Sequence, residues 1–176
     1  MAEVVVDTNV LLVAEGMHDD VSEECVLSCV QRLEAIMKND TVVLDDGFRL
    51  LDEYQHKLSA RRGKGVGSAF LKWLLQHRAG DRRVAMVSLT ELAANRFAEF
   101  PVAALESEFD PPDRKFPAIA NAHPSRPPIL QATDSKWLRW WPELKAVGID
   151  VEFLCPQDVC RFYRGKFPNE RMPALP

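Results

Sequence analysis

No stretch of the sequence approaches the roughly 20 consecutive apolar residues that a membrane-spanning helix requires, so no such span is expected. Internal repeats and low-complexity tracts are also missing, which removes arrays and disordered linkers from consideration. There is no basic leader ahead of an apolar segment: Met1-Ala2-Glu3 passes straight into Val4-Val5-Val6, and the reading is a cytoplasmic protein. Cysteine is scarce, at positions 25, 29, 155 and 160. The spacings C-x3-C and C-x4-C would make a zinc site only if the two pairs met. Each pair lies in an apolar-periodic segment, so the expectation is reduced cysteines acting as small buried hydrophobes, without zinc. The four histidines, at 18, 56, 77 and 123, show no mutual spacing that suggests a site.

Positive charge is in deficit overall, with 22 Lys+Arg against 26 Asp+Glu and a net charge of −4. That balance argues against a nucleic-acid partner until its distribution is considered. Residues 1–53 carry 13 acids against 3 bases, whereas residues 54–83 carry 8 bases against Asp81 alone. A basic segment able to hold phosphates beside an acidic one able to hold metal is what a metal-dependent nuclease needs. A solvated helical face would give the same charge pattern.

What remains is ordinary for a globular protein: 176 residues, 47% apolar and 27% charged, enough for one domain with a real core. The domain is expected over residues 1–165, with 166–176 a proline-containing, frayed tail. The unalternating β-branched run from Val4, continuing past Asp7-Thr8-Asn9 into Val10 to Val13, reads as a strand buried on both faces. Ser22 is the expected N-cap of a helix reaching Asn39-Asp40, with Glu23 and Glu24 in its first turn. Thr41 to Leu44 reads as a strand, followed by a turn and a helix whose face is Phe48, Leu51, Tyr54 and Leu58. Residues 61–67 read as a loop, 69–78 as a helix, 84–89 as a strand and 90–109 as weakly helical. A short helix from Asp113 is troubled by Pro117. Strands at 129–132 and 149–154 alternate with helices at 137–144 and 157–163. Such alternation predicts an α/β fold with a parallel sheet and helices on both faces.

The functional site of such a sheet lies at the carboxyl ends of its strands. Asp7 and Asp134 fall at two of those ends, Asp113 opens a short helix, and Glu53 flanks the apolar face of a helix. Buried acids need partners, and no basic residue stands beside Asp7 in its own strand. A hard divalent cation is the economical partner. Thr8, Asn9, Thr133 and Ser135 are short polar neighbours suited to supporting the carboxylates. Trp137, Trp140 and Trp141 are read as helix core in preference to a base-stacking platform.

These residues carry a resemblance. Val4-Val5-Val6-Asp7-Thr8-Asn9-Val10-Leu11-Leu12 resembles the opening of PIN-domain nucleases, and Leu51-Asp52-Glu53-Tyr54 resembles the family's second acidic position. Phe109-Asp110-Pro111-Pro112-Asp113 with its following helix resembles the third, and Ala132-Thr133-Asp134-Ser135 the fourth. The similarity in order and spacing runs from about residue 3 to residue 155. It implies a three-layer α/β/α sandwich around a parallel sheet of four or five strands. It also implies Mg²⁺- or Mn²⁺-dependent endoribonuclease activity, with Asp7, Glu53, Asp113 and Asp134 as catalytic metal ligands. Asp52 competes with Glu53 for its position, Asp110 competes with Asp113, and Pro117 departs from the apolar residue usual there. Arg61, Arg62, Lys64, Arg114 and Lys115 are candidate RNA contacts. The roles left open are the toxic half of a toxin–antitoxin pair, a defence or RNA-processing effector, and a homodimer or a complex with an inhibitory or activating protein. Two other readings stand beside these. One is a catalytically silent PIN-like module. The other is a phosphatase with an aspartate nucleophile, disfavoured because Asn9 stands where such enzymes want a second Asp.

Overall fold

A computed structural model describes residues 1–80 and 82–176. Asp81, counted above in the basic segment, lies outside the described residues. Strand β1 (Glu3–Val6) leads through Asp7 into helix α1 (Thr8–Ala14). Then follow α2 (Glu23–Asn39), β2 (Thr41–Asp45), α3 (Arg49–Lys57), α4 (Val66–His77) and β3 (Val84–Val87). A two-stranded hairpin of β4 (Glu91–Ala93) and β5 (Arg96–Phe97) precedes the short α5 (Ala103–Glu106). A 3-10 turn (Pro111–Arg114) runs into α6 (Lys115–Ala122), and β6 (Ile129–Gln131), α7 (Trp137–Ala146), β7 (Val151–Phe153) and α8 (Pro156–Lys166) complete the chain.

The five main strands form one sheet in the order β3-β2-β1-β6-β7, all neighbours parallel. Successive residues Val4, Val5 and Val6, and Val42, Val43 and Leu44, are all at zero exposure, so both faces of the central strands are covered. Helices α1, α2 and α4 pack on one another, while α6 packs against β1, β2 and β6. The architecture is the α/β sandwich expected from the sequence, a parallel sheet of five strands covered by helices.

Strand order reverses at β1: β2 and β3 extend the sheet one way, β6 and β7 the other. A ligand crevice is expected at such a switch point, outside the carboxyl ends of the two strands flanking it. Here those strands are β1 and β6, registered Val5 to Ile129 and Val6 to Leu130.

Several local readings are corrected. Val10 to Val13 do not continue the first strand, because Asp7 caps a helix and the chain turns there. The run is apolar throughout because α1 is itself buried, with Val10, Leu11 and Val13 at zero exposure. Of residues 90–109, read as weakly helical, only Ala103–Glu106 is helix; 91–97 form a hairpin turned at Asn95 with φ 54°. Phe48 does not join the apolar face of α3. It sits in the left-handed region at φ 57° and is 40% exposed, and Leu50 takes its place in the core. Pro117 is the third residue of α6, inside the first turn, where no intrahelical amide bond is lost. Gly67 falls inside α4, not in a loop; a Cβ there would stand 2.2 Å from the Leu11 carbonyl oxygen, so glycine permits α1 and α4 to touch. The tail after α8 is held down: Trp141 Nε1 donates to Ala174 O at 3.0 Å, and Arg139 and Tyr163 both bind Glu170.

The cysteine expectation also changes. Cys25 and Cys155 are joined in a disulfide spanning 130 positions, while Cys29 is free and buried and Cys160 is free and half-buried. The two sequence pairs do meet in part, because the start of α2 touches the start of α8.

Candidate active site

Asp7 leaves β1 in extended conformation (φ −67°, ψ 142°) and caps α1, its carboxylate accepting the Asn9 amide at 2.7 Å. Its own amide donates to Leu130 O on β6 at 3.0 Å, which fixes it at the switch point. Beside it, Asn9 Oδ1 accepts from the Thr133 amide at 2.8 Å and from the Thr133 hydroxyl at 2.7 Å. The start of α1 is thereby stitched to the segment carrying Asp134.

Asp134 follows β6 and accepts the Lys136 amide at 3.1 Å just ahead of α7. Asp113 lies in the 3-10 turn before α6. An aromatic cluster sets both segments. Phe109 stacks on Trp140 with centroids 3.8 Å apart and meets Trp137 edge-on at 5.4 Å, and Phe116 packs on Trp137 at 6.2 Å. Phe109 and Phe116 bracket Asp113, and Trp137 stands three residues after Asp134. The tryptophans are core: Trp137 is at zero exposure and Trp140 at 4%.

Glu53 comes from α3, placed by the end of β2. Buried Asp45 accepts the amides of Arg49 and Leu50, each at 3.0 Å, and so holds the first turn of α3. Tyr54, fully buried, donates its hydroxyl to Val6 O at the end of β1. Its neighbour Glu53 then accepts the Thr8 hydroxyl at 2.5 Å and the ammonium of Lys115. Asp52 is exposed, so Glu53 is the residue that joins the cluster. Asp110 pairs with Lys136 and adds its charge to those acting on Asp113 and Asp134.

The electrostatics join the four acids. Burial, then the charge of Asp113, pushes Asp7 well above the ordinary carboxylate range; Asp134 and Glu53 add to this while the Asn9 amide opposes it. Asp113 is pushed up to about 7, first by burial and then by Asp134, with Lys115 pulling the other way. Asp134 is raised by burial, against the Lys136 amide and the charges of Lys166 and Lys136. Like charges held together in a low-dielectric setting keep their protons to higher pH.

The donor set is made of carboxylate oxygens at one strand edge, which suits a hard divalent cation. The four carboxylates are not closed into a tight ring. Among the described residues, the trio with ligand atoms all within 4.8 Å of one another is Cys25, Cys29 and Cys155. A magnesium-like ion keeps several waters and takes one or two carboxylates directly, so it needs no tighter ring of acids.

The expected neighbours divide. Thr8 bonds a cluster carboxylate, Asn9 and Thr133 bond each other, and Ser135 is buried in the turn before α7. Lys115 is 6% exposed and committed to Glu53 and Pro112 O, so the cluster does contain a basic partner. Arg114 donates to Phe109 O at 3.2 Å. The loop carrying Arg61, Arg62 and Lys64 is exposed and anchored on Glu15 through the Gly65 amide at 3.1 Å. Asp7 and Glu15 stand at opposite ends of α1, roughly 12 Å apart at the usual rise per residue, so the loop is anchored at the end of α1 away from Asp7.

Three residues at the site were not anticipated. His18 places Nε2 3.4 Å from the Thr133 hydroxyl, and it shares a cleft with Asp134, Arg161 and Lys166. Lys136 and Lys166 line an adjoining cleft with Arg139. Lys166 closes the last turn of α8, whose basic end (Arg164, Lys166) was the one available signal.

No protein-family model and no curated protein matches the sequence. Among solved structures the chain is similar to VapBC2 from Rickettsia felis, whose crystal structure is bound to a DNA fragment from their promoter. The likeness covers 86% of this chain and 98% of that one, at 15% identity and a TM-score of 0.40.

Proposed function

We propose that the protein is a PIN-like, divalent-metal-dependent endoribonuclease, with Asp7, Glu53, Asp113 and Asp134 as its acidic centre. The observation that carries this reading is that Asp7 and Asp134 follow adjacent parallel strands and are stitched together through Asn9 and Thr133, with Asp113 and Glu53 close enough to act on Asp7. Nothing in core packing calls for four carboxylates at one place, and their mutual repulsion is a standing cost that a cation removes. When bound, Mg²⁺ or Mn²⁺ supplies activation of a water and neutralisation of charge developing on the phosphodiester. Asp7 and Asp134, at the ends of adjacent parallel strands, are the acids best fixed to orient such an ion. Thr8 and Lys115 hold Glu53 in one position. Lys166 lines the cleft that holds Asp134 and is placed to take a phosphate of a bound strand as a point charge, while Lys136 and Arg139 are engaged by Asp110 and Glu170.

The test is incubation of purified protein with single-stranded RNA and Mn²⁺, with EDTA and Asp7→Asn as controls. Cleavage that needs both metal and Asp7 supports the proposal; equal cleavage by both proteins defeats it. A toxin role would show as growth arrest on expression, relieved by Asp7→Asn.

One observation favours the second reading, a silent RNA- or protein-binding module: Lys115 already gives Glu53 a cation. In that case RNA binding persists in EDTA and no metal brings about cutting.

A further inference from the structure

The cluster of sulfurs between α2 and α8 lies outside the acidic centre. Cys25 and Cys29 are four apart on α2 and therefore share a face. Cys155 sits at the N-cap of α8, and all three side chains are buried. In the oxidised protein Cys25 and Cys155 are bonded, and Cys29 Sγ stands 3.8 Å from Cys155 Sγ. All three sulfurs lie within 4.8 Å of one another. A cavity of about 60 Å³ adjoins the disulfide, lined by Ser22, Glu24, Cys25, Ser28, Cys155 and Asp158. Ser22 and Glu24 are exposed, so the cavity communicates with solvent.

A disulfide uses two of these sulfurs and leaves the third without a role. The geometry points to a second role for the trio: in the reduced protein, Cys25, Cys29 and Cys155 bind one soft metal cation of the Zn²⁺ class. Tetrahedral coordination with metal–sulfur bonds of about 2.3 Å separates two thiolates by roughly 3.8 Å. Cys29 and Cys155 already have that separation. Once the bond to Cys155 is broken, a side-chain rotation of Cys25 is what brings its sulfur into the third ligand position. The cavity adjoining Cys25 and Cys155 has room for a water as the fourth ligand, since a water occupies about 30 Å³ in the liquid.

The chemistry balances in two steps. A dithiol reductant gives two electrons and two protons; the Cys25–Cys155 bond breaks to two thiols, and the reductant closes to its own disulfide. The cation then displaces three protons, one from each thiol, leaving a site of net charge −1. Burial pushes the Cys29 thiol up to about 12, with Asp158 adding to this, and so holds it inert without metal. A bound divalent charge reverses that preference. Either form joins α2 to α8 at the same point, where Asp158 also accepts the Ser22 amide and hydroxyl at 2.7 Å each. The join thus survives in both redox conditions.

The experiment uses the full chain, reduced with dithiothreitol, desalted anaerobically and titrated with Co²⁺. The expected result is intense thiolate-to-cobalt absorption saturating at one ion per chain, absent from the unreduced protein. Cys29→Ser should lose the absorption and Cys160→Ser should keep it. Carboxylate-bound Co²⁺ gives no such band, so the result is independent of the acidic centre. Reduced protein without the band, or Cys29→Ser that retains it, overturns the proposal. Should Cys29→Ser fail to fold, alkylation settles the point: bound Co²⁺ must shield three thiols in the wild type, and unshielded thiols overturn the site.

Discussion

Lys115 and Glu53, 62 positions apart, form an ion pair inside the acidic cluster, with their side chains 8% and 25% exposed. The same ammonium donates to Pro112 O, which ties α6 to the turn carrying Asp113. One cation therefore braces two of the four acid-bearing segments while lessening the repulsion felt by Asp113.

Removing that cation leaves Glu53 with only the Thr8 hydroxyl. Losing one partner of a fully buried pair costs about 3–5 kcal/mol, and the partial exposure of Glu53 reduces this to roughly 1–3 kcal/mol for Lys115→Met. Urea denaturation measures it, and Glu53→Gln added to Lys115→Met should recover part of the loss. A Lys115→Met protein as stable as the wild type would show the pair to be incidental.

The raised acids make stability depend on pH in a definite direction. Folded Asp113 titrates at about 7 and Asp7 well above its usual range, so both hold protons that the unfolded chain has released. Stability contributed this way falls as the pH rises from about 4 through 7, and the deficit is complete above the folded values. A cation that binds the ionised folded form offsets the deficit by mass action, most strongly at high pH. In EDTA the melting temperature should be lower at pH 8 than at pH 5.5, and Mn²⁺ should raise it more at pH 8. Asp113→Asn should flatten the EDTA profile. An unchanged slope in that variant would detach the pH dependence from the cluster.

The sheet was legible because its central strands are buried on both faces, so their apolar runs carry no competing polar alternation. The positions of Asp7 and Asp134 just past β1 and β6 were legible from the strand ends in the sequence. Lys115 was seen, but as an RNA contact, because sequence does not tell which way a lysine in a first helical turn points. The disulfide was not legible: α2 and α8 are sequence-distant, and their packing brings Cys25 and Cys155 to a Cα separation of 5.0 Å. The hairpin at 91–97 was missed because its strands have two or three residues, too few to show a period. The helical start at Thr8 was masked by Val10 to Val13, an unbroken apolar run that reads on from the valines of β1 as a strand, whereas the buried segment is a helix.

The contact between α1 and α4 leaves no room for a side chain at residue 67. A Cβ at Gly67 would meet the Leu11 carbonyl carbon at 3.1 Å as well as its oxygen at 2.2 Å, and backbone cannot swing aside as a side chain can. Gly67→Ala raises intrinsic helix propensity by up to about 1 kcal/mol, yet overpacking of this kind costs roughly 1–3 kcal/mol. The expected sum is a net loss, seen as a lower urea midpoint with an unchanged m-value. Since α1 begins at Asp7, separation of the helices also disturbs the acidic centre, and any metal-dependent cleavage should fall with stability. A Gly67→Ala protein stabilised by its better helix former would contradict the close approach.

Asp7→Asn separates the function of the centre from its effect on stability. Asparagine caps a helix about as well as aspartate, so the start of α1 should be preserved. The variant loses a carboxylate that burial and three neighbouring acids all disfavour. In EDTA at pH 8 it should therefore melt higher than the wild type, by on the order of 2–4 °C for each ~1 kcal/mol recovered in a chain of this size. The same variant should gain less from Mn²⁺ and show no metal-dependent RNA cleavage. That combination of greater stability and lost activity is the mark of a residue kept for chemistry against the interest of the fold. If Asp7→Asn instead melts lower in EDTA, the carboxylate is structural, and its place among the other acids needs a different cause.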